Sequence, residues 1–191
     1  REYIAQWLEK LGLELKPSKT RITHTLREYE GNVGFDFLGF HIQQYKAGKH
    51  HSARRRGGAV GFKTIIRPSK AAIKGHIATM GAVVNSHKAV RQRELIRHLN
   101  PLISGWANYY TSVCSKAVFN TVDHLLIYKL LAWTRRRHSK KNKAWRVQKY
   151  WQEGWSFSDG THTLHKHTDA EIKRHVKVAG RRGVFDGEWV Y

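Results

Sequence analysis

The residues of this chain best equipped for chemistry are its cations, which stand in two long blocks that no carboxylate interrupts. Between Phe37 and Arg93 there is no acidic residue, while Lys46, Lys49, Arg54, Arg55, Arg56, Lys63, Arg67, Lys70, Lys74, Lys88 and Arg91 are basic. The second block runs from His124 to Gln152 and holds Arg135, Arg136, Arg137, Lys140, Lys141, Lys143, Arg146 and Lys149. An ordinary solvated face mixes both signs. Trp133, Trp145, Tyr150 and Trp151 are interleaved with these charges, the mixture expected where bases stack and phosphates pair. Trp133 reads more simply as a helix core anchor, whereas Trp145 and Trp151 fit either role.

Composition points the same way. Thirty-five Lys and Arg against fourteen Asp and Glu leave a formal charge of +21 on 191 residues, for which phosphate is the natural counterion. No apolar run approaches the roughly 18 residues of a spanning helix, and no signal-peptide pattern is present, so a membrane partner is not expected. Cys114 is the single cysteine. It excludes an internal disulfide and every multi-cysteine zinc site, suits a reducing compartment, and is expected to be a buried, inert apolar residue. His162, His165 and His167 invite a metal reading, but no cysteine and no carboxylate before Asp169 joins them, so no metal ligand is assigned. Asp36 is the only aspartate before Asp123; two-metal chemistry needs grouped carboxylates, so this chain alone should not polymerise nucleotides.

The elements that must position these groups follow from periodicity. Tyr3, Ile4, Trp7, Leu8 and Leu11 predict an amphipathic helix ending near Gly12, and Leu13 and Leu15 a short strand entering a turn at Lys16-Pro17-Ser18. Phe35 to Phe40 reads as a strand with Phe35 and Phe37 on one face, and Gly34 and Gly39 permit close approach of another backbone. Lys46 to Gly61 reads as a flexible basic loop that orders on nucleic acid. Ser69 can cap a helix carrying Ile73, Ile77, Met80 and Val83 or Val84. A second helix runs through Leu95, Leu99, Leu102, Trp106, Tyr109 and Val113, with Ile96, Ile103 and Tyr110 broadening the stripe and Pro101 expected to kink or break it after Asn100. A third, after Ser115, runs through Phe119, Val122, Leu126, Leu130 and Trp133 and should end where the arginine run starts. Three such helices with short connections make a small bundle. Gly154 to Phe157 and Val184 to Tyr191 read as short strands or turns around a helix at Asp169 to Val176 that Thr168 would cap.

Two stretches carry a family resemblance. Leu13-Glu14-Leu15-Lys16-Pro17-Ser18-Lys19-Thr20 followed by Phe35-Asp36-Phe37-Leu38-Gly39-Phe40 resembles the end of the palm in reverse transcriptases of the group II intron type, where L-x-L-x-x-x-K-T precedes F-D-F-L-G-F. Leu99-Asn100-Pro101-Leu102-Ile103-Ser104-Gly105-Trp106-Ala107-Asn108-Tyr109-Tyr110, with Trp133-Thr134-Arg135-Arg136-Arg137-His138 and Lys143-Ala144-Trp145 beyond it, resembles the maturase region of the same proteins, called domain X, which is also the thumb. Together the similarities cover nearly all of Leu11 to Trp151. In that region Gly105 and Ala107 would permit close helix packing beside Trp106, and Asn108 and Tyr110 would offer polar tips near the surface.

The resemblance implies a mainly α fold: the end of a reverse-transcriptase palm (helix plus β-hairpin), a thumb-like three-helix bundle and a small C-terminal α+β segment. Its divisions would be palm end 1–45, basic linker 46–66, thumb and domain X 67–152, and a DNA-binding segment 153–191. Lys19 would be the general acid beside the departing pyrophosphate, a task an ammonium suits because it both stabilises phosphate charge and can release a proton. Phe37, Leu38 and Gly39 would form the primer grip. Arg54, Arg55, Arg56, Lys63, Lys70, Lys74, Arg135, Arg136, Arg137, Lys140, Lys141, Lys143 and Arg146 are the expected RNA contacts; Lys173, Arg174, Lys177, Arg181 and Arg182 the expected DNA contacts. Partners would be group II intron RNA, target DNA and primer-template, with a homo-oligomer allowed. No cofactor is expected here; Mg2+ would belong to a polymerase active site whose Tyr-x-Asp-Asp motif is missing from this sequence. The implied setting is bacterial cytoplasm or an organelle. Two alternatives share these motifs: a splicing factor without polymerase activity, and a CRISPR-associated reverse transcriptase of the same stock.

Overall fold

A computed structural model describes residues 2–17, 20–48, 54–55, 58–59 and 61–173, with backbone alone at 54–55 and 58–59. Helix α1 spans Glu2–Glu9 and closes in a turn at Gly12, whose φ of 72° suits glycine. It buries none of its residues: Tyr3 is 82% exposed and Trp7 56%. The strand expected at Leu13 to Leu15 does not form; that segment has no strand partner to complete its hydrogen bonds.

Strands β1 (Phe35–Phe37), β2 (Phe40–Lys46) and β5 (Phe62–Pro68) make one antiparallel sheet in the order β1-β2-β5. Phe35 pairs Ile42 and Phe37 pairs Phe40, so only Leu38 and Gly39 connect the first two strands. Both connecting residues have positive φ, 48° and 81°, the handedness of the type I′ turn that matches strand twist. Strand β2 pairs β5 from Phe40↔Pro68 to Lys46↔Phe62, so residues 62–66 of the expected linker belong to the sheet. Within that linker, β3 (Arg54–Arg55) and β4 (Gly58–Ala59) pair as a short ribbon where only a loop was expected.

Helix α2 spans Lys70–Ser86, and the Ser69 hydroxyl accepts from the Ala72 amide at 3.1 Å as the cap the sequence implied. Helix α3 covers Gln92–Tyr110 as one helix with Pro101 inside it, so the chain does not break after Asn100. Pro101 and Arg97 both lie on the exposed side, where water can satisfy the Arg97 carbonyl that proline leaves without a partner. Its buried stripe is Leu95, Ile96, Leu99, Ile103, Ala107 and Tyr110. This is rotated from the expected one, so Tyr109 is exposed and the helix stops before Val113.

Helix α4 runs Lys116–Arg137 and buries Phe119, Val122, Leu126, Leu130 and Trp133 as the spacing required. It does not end at the arginine run but incorporates it, because three cations in the last turn complement the helix dipole. Asn142 caps α5, Lys143–Tyr150, and the chain then makes a two-residue ribbon of β6 (Trp151–Gln152) and β7 (Ser156–Phe157).

One apolar core joins α2, α3 and α4 through Met80, Leu95, Leu99, Ile103, Leu126 and Trp133, and extends to Tyr150, Trp151, Phe157 and Leu164. Each fully buried aliphatic side chain there contributes on the order of 1.5–3 kcal/mol. Ala107, Tyr110 and Phe119 form a second cluster that receives Phe40 of the sheet and Ile172 of the C-terminal strap. The helix expected at Asp169 to Val176 is instead a single 3-10 turn, His167–Asp169, with no helix at 170–173. Thr168 sits inside that turn and its groups are spent elsewhere. The Val184 to Tyr191 strands lie outside the described residues. Cys114 is exposed rather than buried: it lies in the α3–α4 connection, with its amide bonded to the Ile66 carbonyl of β5 at 2.9 Å.

Candidate nucleic-acid interface

The hairpin tip expected as a primer grip is built by contacts from α3. Phe37 is 60% exposed and Leu38 70%, so neither is core. The Tyr109 hydroxyl donates to the Leu38 carbonyl at 2.8 Å, and the Tyr110 hydroxyl to the Gly39 carbonyl at 3.0 Å. Phe40 packs on both rings with centroids 5.1 Å away in each case. Tyr110 is therefore buried and directed inward, not a surface tip as expected. Burial first, then Tyr109, pushes its pKa up, which keeps the hydroxyl a donor. Gly105 meets no neighbour within 4 Å, so it does not mediate close helix packing; Gly81 does, facing Lys129.

Beside the hairpin lies an open groove of about 800 Å3 lined by Arg21, Asp36, His41, Arg67 and Lys70 among others. Asp36 pairs with His41 at 2.6 Å, and Arg67 and Tyr45 both donate to Gln43 on the same sheet face, at 3.4 and 2.7 Å. Cations exceed carboxylates along this wall.

The expected RNA contacts divide into distinct groups. Lys63, Lys70 and Lys74 are exposed, the last two one turn apart on α2. Arg135, Lys140, Lys141 and Lys143 are exposed around the end of α4 and the start of α5, and Arg146 is half-buried. Arg136 is exposed and donates to the Asn85 side chain at 2.9 Å. Arg137 is engaged inside the fold: it donates to the Val90 and Lys88 carbonyls at 2.6 and 3.2 Å and lies 4.7 Å above the Trp133 ring. Arg54 and Arg55 lie on the β3–β4 ribbon, with their side chains outside the described residues, as are Lys19 and Arg56. Among the expected DNA contacts Lys173 is exposed, while Arg174, Lys177, Arg181 and Arg182 also lie outside the described residues.

Among the described residues, the only Lys or Arg ion pairs are those of Arg93 and Arg97 with Glu94. Among the described residues the other Lys and Arg side chains pair with no described carboxylate, which leaves their field to act on an external polyanion. Trp133 is fully buried with its indole donating to the His87 carbonyl at 2.7 Å, and Trp151 is 6% exposed; both are core. Trp145 stays half-exposed, with Lys149 and Lys141 4.9 and 5.3 Å from its ring. It is the tryptophan of this block placed for stacking.

A buried polar chain fastens the C-terminal strap to the bundle, and sequence reasoning missed it. His167 Nδ1 donates to Asp123 at 2.5 Å and its Nε2 meets His76 Nε2 at 2.8 Å. Asp123 also accepts from the His167 and Thr168 amides and the Thr168 hydroxyl. The two Nε2 atoms share one proton, and which ring donates it depends on their tautomers. The His76 ring stacks on Trp106 at 4.5 Å and 6°. Burial, and then His167, lowers the His76 pKa to about 4. Burial would raise Asp123, but the hydrogen bonds from His167 and Thr168 outweigh it and hold the carboxyl below its ordinary range. Asn100 adds a second fastening, donating to the Thr163 carbonyl and accepting from the His165 amide at 3.0 and 2.9 Å. One signal was available: Asp123 is the only acidic residue between Glu94 and Glu153, a lone carboxylate on an otherwise basic and apolar helix. Among the described residues no three His, Cys, Asp or Glu side chains group to hold a metal ion. No described helix is long and apolar enough to cross a membrane.

Comparison with known families places this helical body. Residues 73–151 match the model of the group II intron, maturase-specific domain, and the match is consistent with the C-terminal part of a group II intron maturase. The match begins at Ile73 within α2 and ends at Trp151, taking in most of α2 and all of α3, α4 and α5. A domain of this family implies a role in splicing and binding of group II intron RNA. No curated protein matches the chain.

Proposed function

We propose that this chain clamps structured group II intron RNA for splicing and, joined to a polymerase core, guides primer and template during target-primed reverse transcription. The observation that carries the reading is the set of unneutralised cations on a maturase-specific domain: Lys70 and Lys74 on α2, and Arg135, Lys140, Lys141 and Lys143 around the α4–α5 junction. Phosphate contacts dominate such binding, and specificity comes from RNA shape and from single-stranded bases stacking on rings such as Trp145. The exposed hairpin tip supports the primer-grip half of the reading. Lys19 would serve pyrophosphate release, the strap and the residues beyond it would contact target DNA, and the site of action would be bacterial cytoplasm or an organelle.

The test is binding of intron RNA to the full chain across a salt series. Neutralising about eight phosphates predicts a log-log slope of roughly −6 to −7. A slope near zero, or equal affinity for intron RNA and an unstructured RNA of the same length, would overturn the proposal. Polymerase support is read separately, by adding the chain's variants to an intact enzyme bearing a Tyr-x-Asp-Asp motif and measuring primer extension.

A further inference from the structure

The Phe37–Leu38–Gly39 tip is held by more than its own two-residue hairpin turn. Leu38 has a φ of 48°, a left-handed conformation that costs a non-glycine residue free energy and persists only where surroundings impose it. An Asn or Gly would occupy that turn position without strain. Here a leucine does, and it leaves 70% of its surface in water beside an equally solvated Phe37. An apolar pair held outward in a strained turn gains nothing for the fold by itself.

The groups that hold it from outside the hairpin are on α3. Tyr109 and Tyr110 donate their hydroxyls to the consecutive carbonyls of Leu38 and Gly39, and the Ser69 amide reaches the same Gly39 oxygen at 2.8 Å. Phe40 is held between the two tyrosine rings, which themselves meet edge to face at 4.8 Å. The fit at Gly39 is close: a Cβ there would stand 2.7 Å from the Tyr110 hydroxyl. Through Ser69 the tip is also tied to the start of α2, where exposed Lys70 follows directly in the chain. The result is a rigid apolar ledge with an ammonium one residue from its anchor.

We propose that Tyr109 and Tyr110 are positioning residues that hold this ledge preformed for the terminal base pair of a recessed nucleic-acid duplex. The ledge meets the exposed face of the last pair, as an aromatic or apolar surface does in stacking, while Lys70 faces the adjoining phosphates. Preforming the ledge removes the ordering cost that a free loop would incur on binding. This rests on the primer-grip reading of the same tip, and it adds that the maturase helix, together with the hairpin turn, fixes the tip's conformation.

The experiment uses the full chain with two probes: an RNA template with a recessed DNA primer carrying 2-aminopurine at its 3′ end, and a blunt duplex of the same sequence. The Tyr109→Phe/Tyr110→Phe double variant keeps both rings and loses only the two hydroxyls. The expected result is about tenfold weaker binding to the recessed duplex, unchanged binding to the blunt one, and a thermal midpoint within a few degrees of the parent. Phe37→Ala and Leu38→Ala should lose the recessed preference as well. If those two lose it while the double tyrosine variant retains it, the grip stands and the clamp is overturned. If the parent chain shows no recessed preference, the grip reading falls and the clamp with it. Equal loss on both duplexes, or a large drop in thermal midpoint, assigns the tyrosines to folding alone and also overturns the proposal.

Discussion

Mild acid should loosen the strap from the bundle, and His76 should be the group that senses it. His76 is 8% exposed, shares a hydrogen bond with His167 across 2.8 Å and has its pKa lowered to about 4 by burial and then by His167. Its unfolded counterpart titrates near 6.5. The folded value is the depressed one, so between those limits the unfolded chain binds more protons; stability is full above about pH 7 and falls as the pH drops toward 4. Taking the two pKa values at face value, lowering the pH from about 7 to about 5 removes about 2 kcal/mol, which residual water access at the ring edge reduces to ~1–2 kcal/mol. Asp123, also depressed, acts in the same direction but only as the pH falls through the ordinary carboxylate value and below it, so the window from pH 7 to 5 lies above its main effect. The assay is urea unfolding followed by tryptophan fluorescence at both pH values, for the parent and for His76→Phe, which preserves a ring against Trp106. His76→Phe is less stable at pH 7, since His167 loses a buried partner, but should lose ~1–2 kcal/mol less than the parent on acidification. His138 is lowered too, by slight burial and then by Lys149, Arg137, Arg146 and Lys141; being present in both proteins, it cancels in the difference. Equal acid sensitivity of parent and variant would refute the assignment.

Other expectations follow from the same geometry. Arg137→Ala should destabilise the bundle by about 1–3 kcal/mol in urea melts, because two charge-assisted hydrogen bonds and a ring contact are lost. Arg135→Ala should leave stability within about 0.5 kcal/mol and act instead on RNA affinity, lowering the salt slope by roughly one. Trp133→Phe should cost about 1–3 kcal/mol by leaving the His87 carbonyl without its 2.7 Å donor; an unchanged melting midpoint would show that water replaces it.

Helix α4 was the most legible element: Phe119, Val122, Leu126, Leu130 and Trp133 fall on one face, and all five are buried. Ser69 as a cap was legible for a similar reason, since capping is decided within four residues. Tyr109 and Tyr110 were visible as motif members but not as clamps, because their partners Leu38 and Gly39 lie 71 residues away. Of the kink or break expected at Pro101, the break does not occur: the helix continues past it, and the exposed side of α3 lets water meet the freed carbonyl. Thr168 misled: its local pattern fits a cap, but Asp123, 45 residues earlier, takes its amide and hydroxyl.

What the sequence alone determined about this protein was its charge and its repeats: two acid-free basic blocks, three amphipathic helices, an aromatic hairpin and the maturase motif. These are properties of composition and of neighbours three or four residues apart, which a chain expresses wherever it folds. Only the tertiary structure decided which cations stay free and which, like Arg137, are used internally, and which face of α3 is buried. It alone joined His76 to His167 across 91 residues and brought the α3 tyrosines to the hairpin tip. Such pairings depend on where distant segments pack, and no local period encodes that.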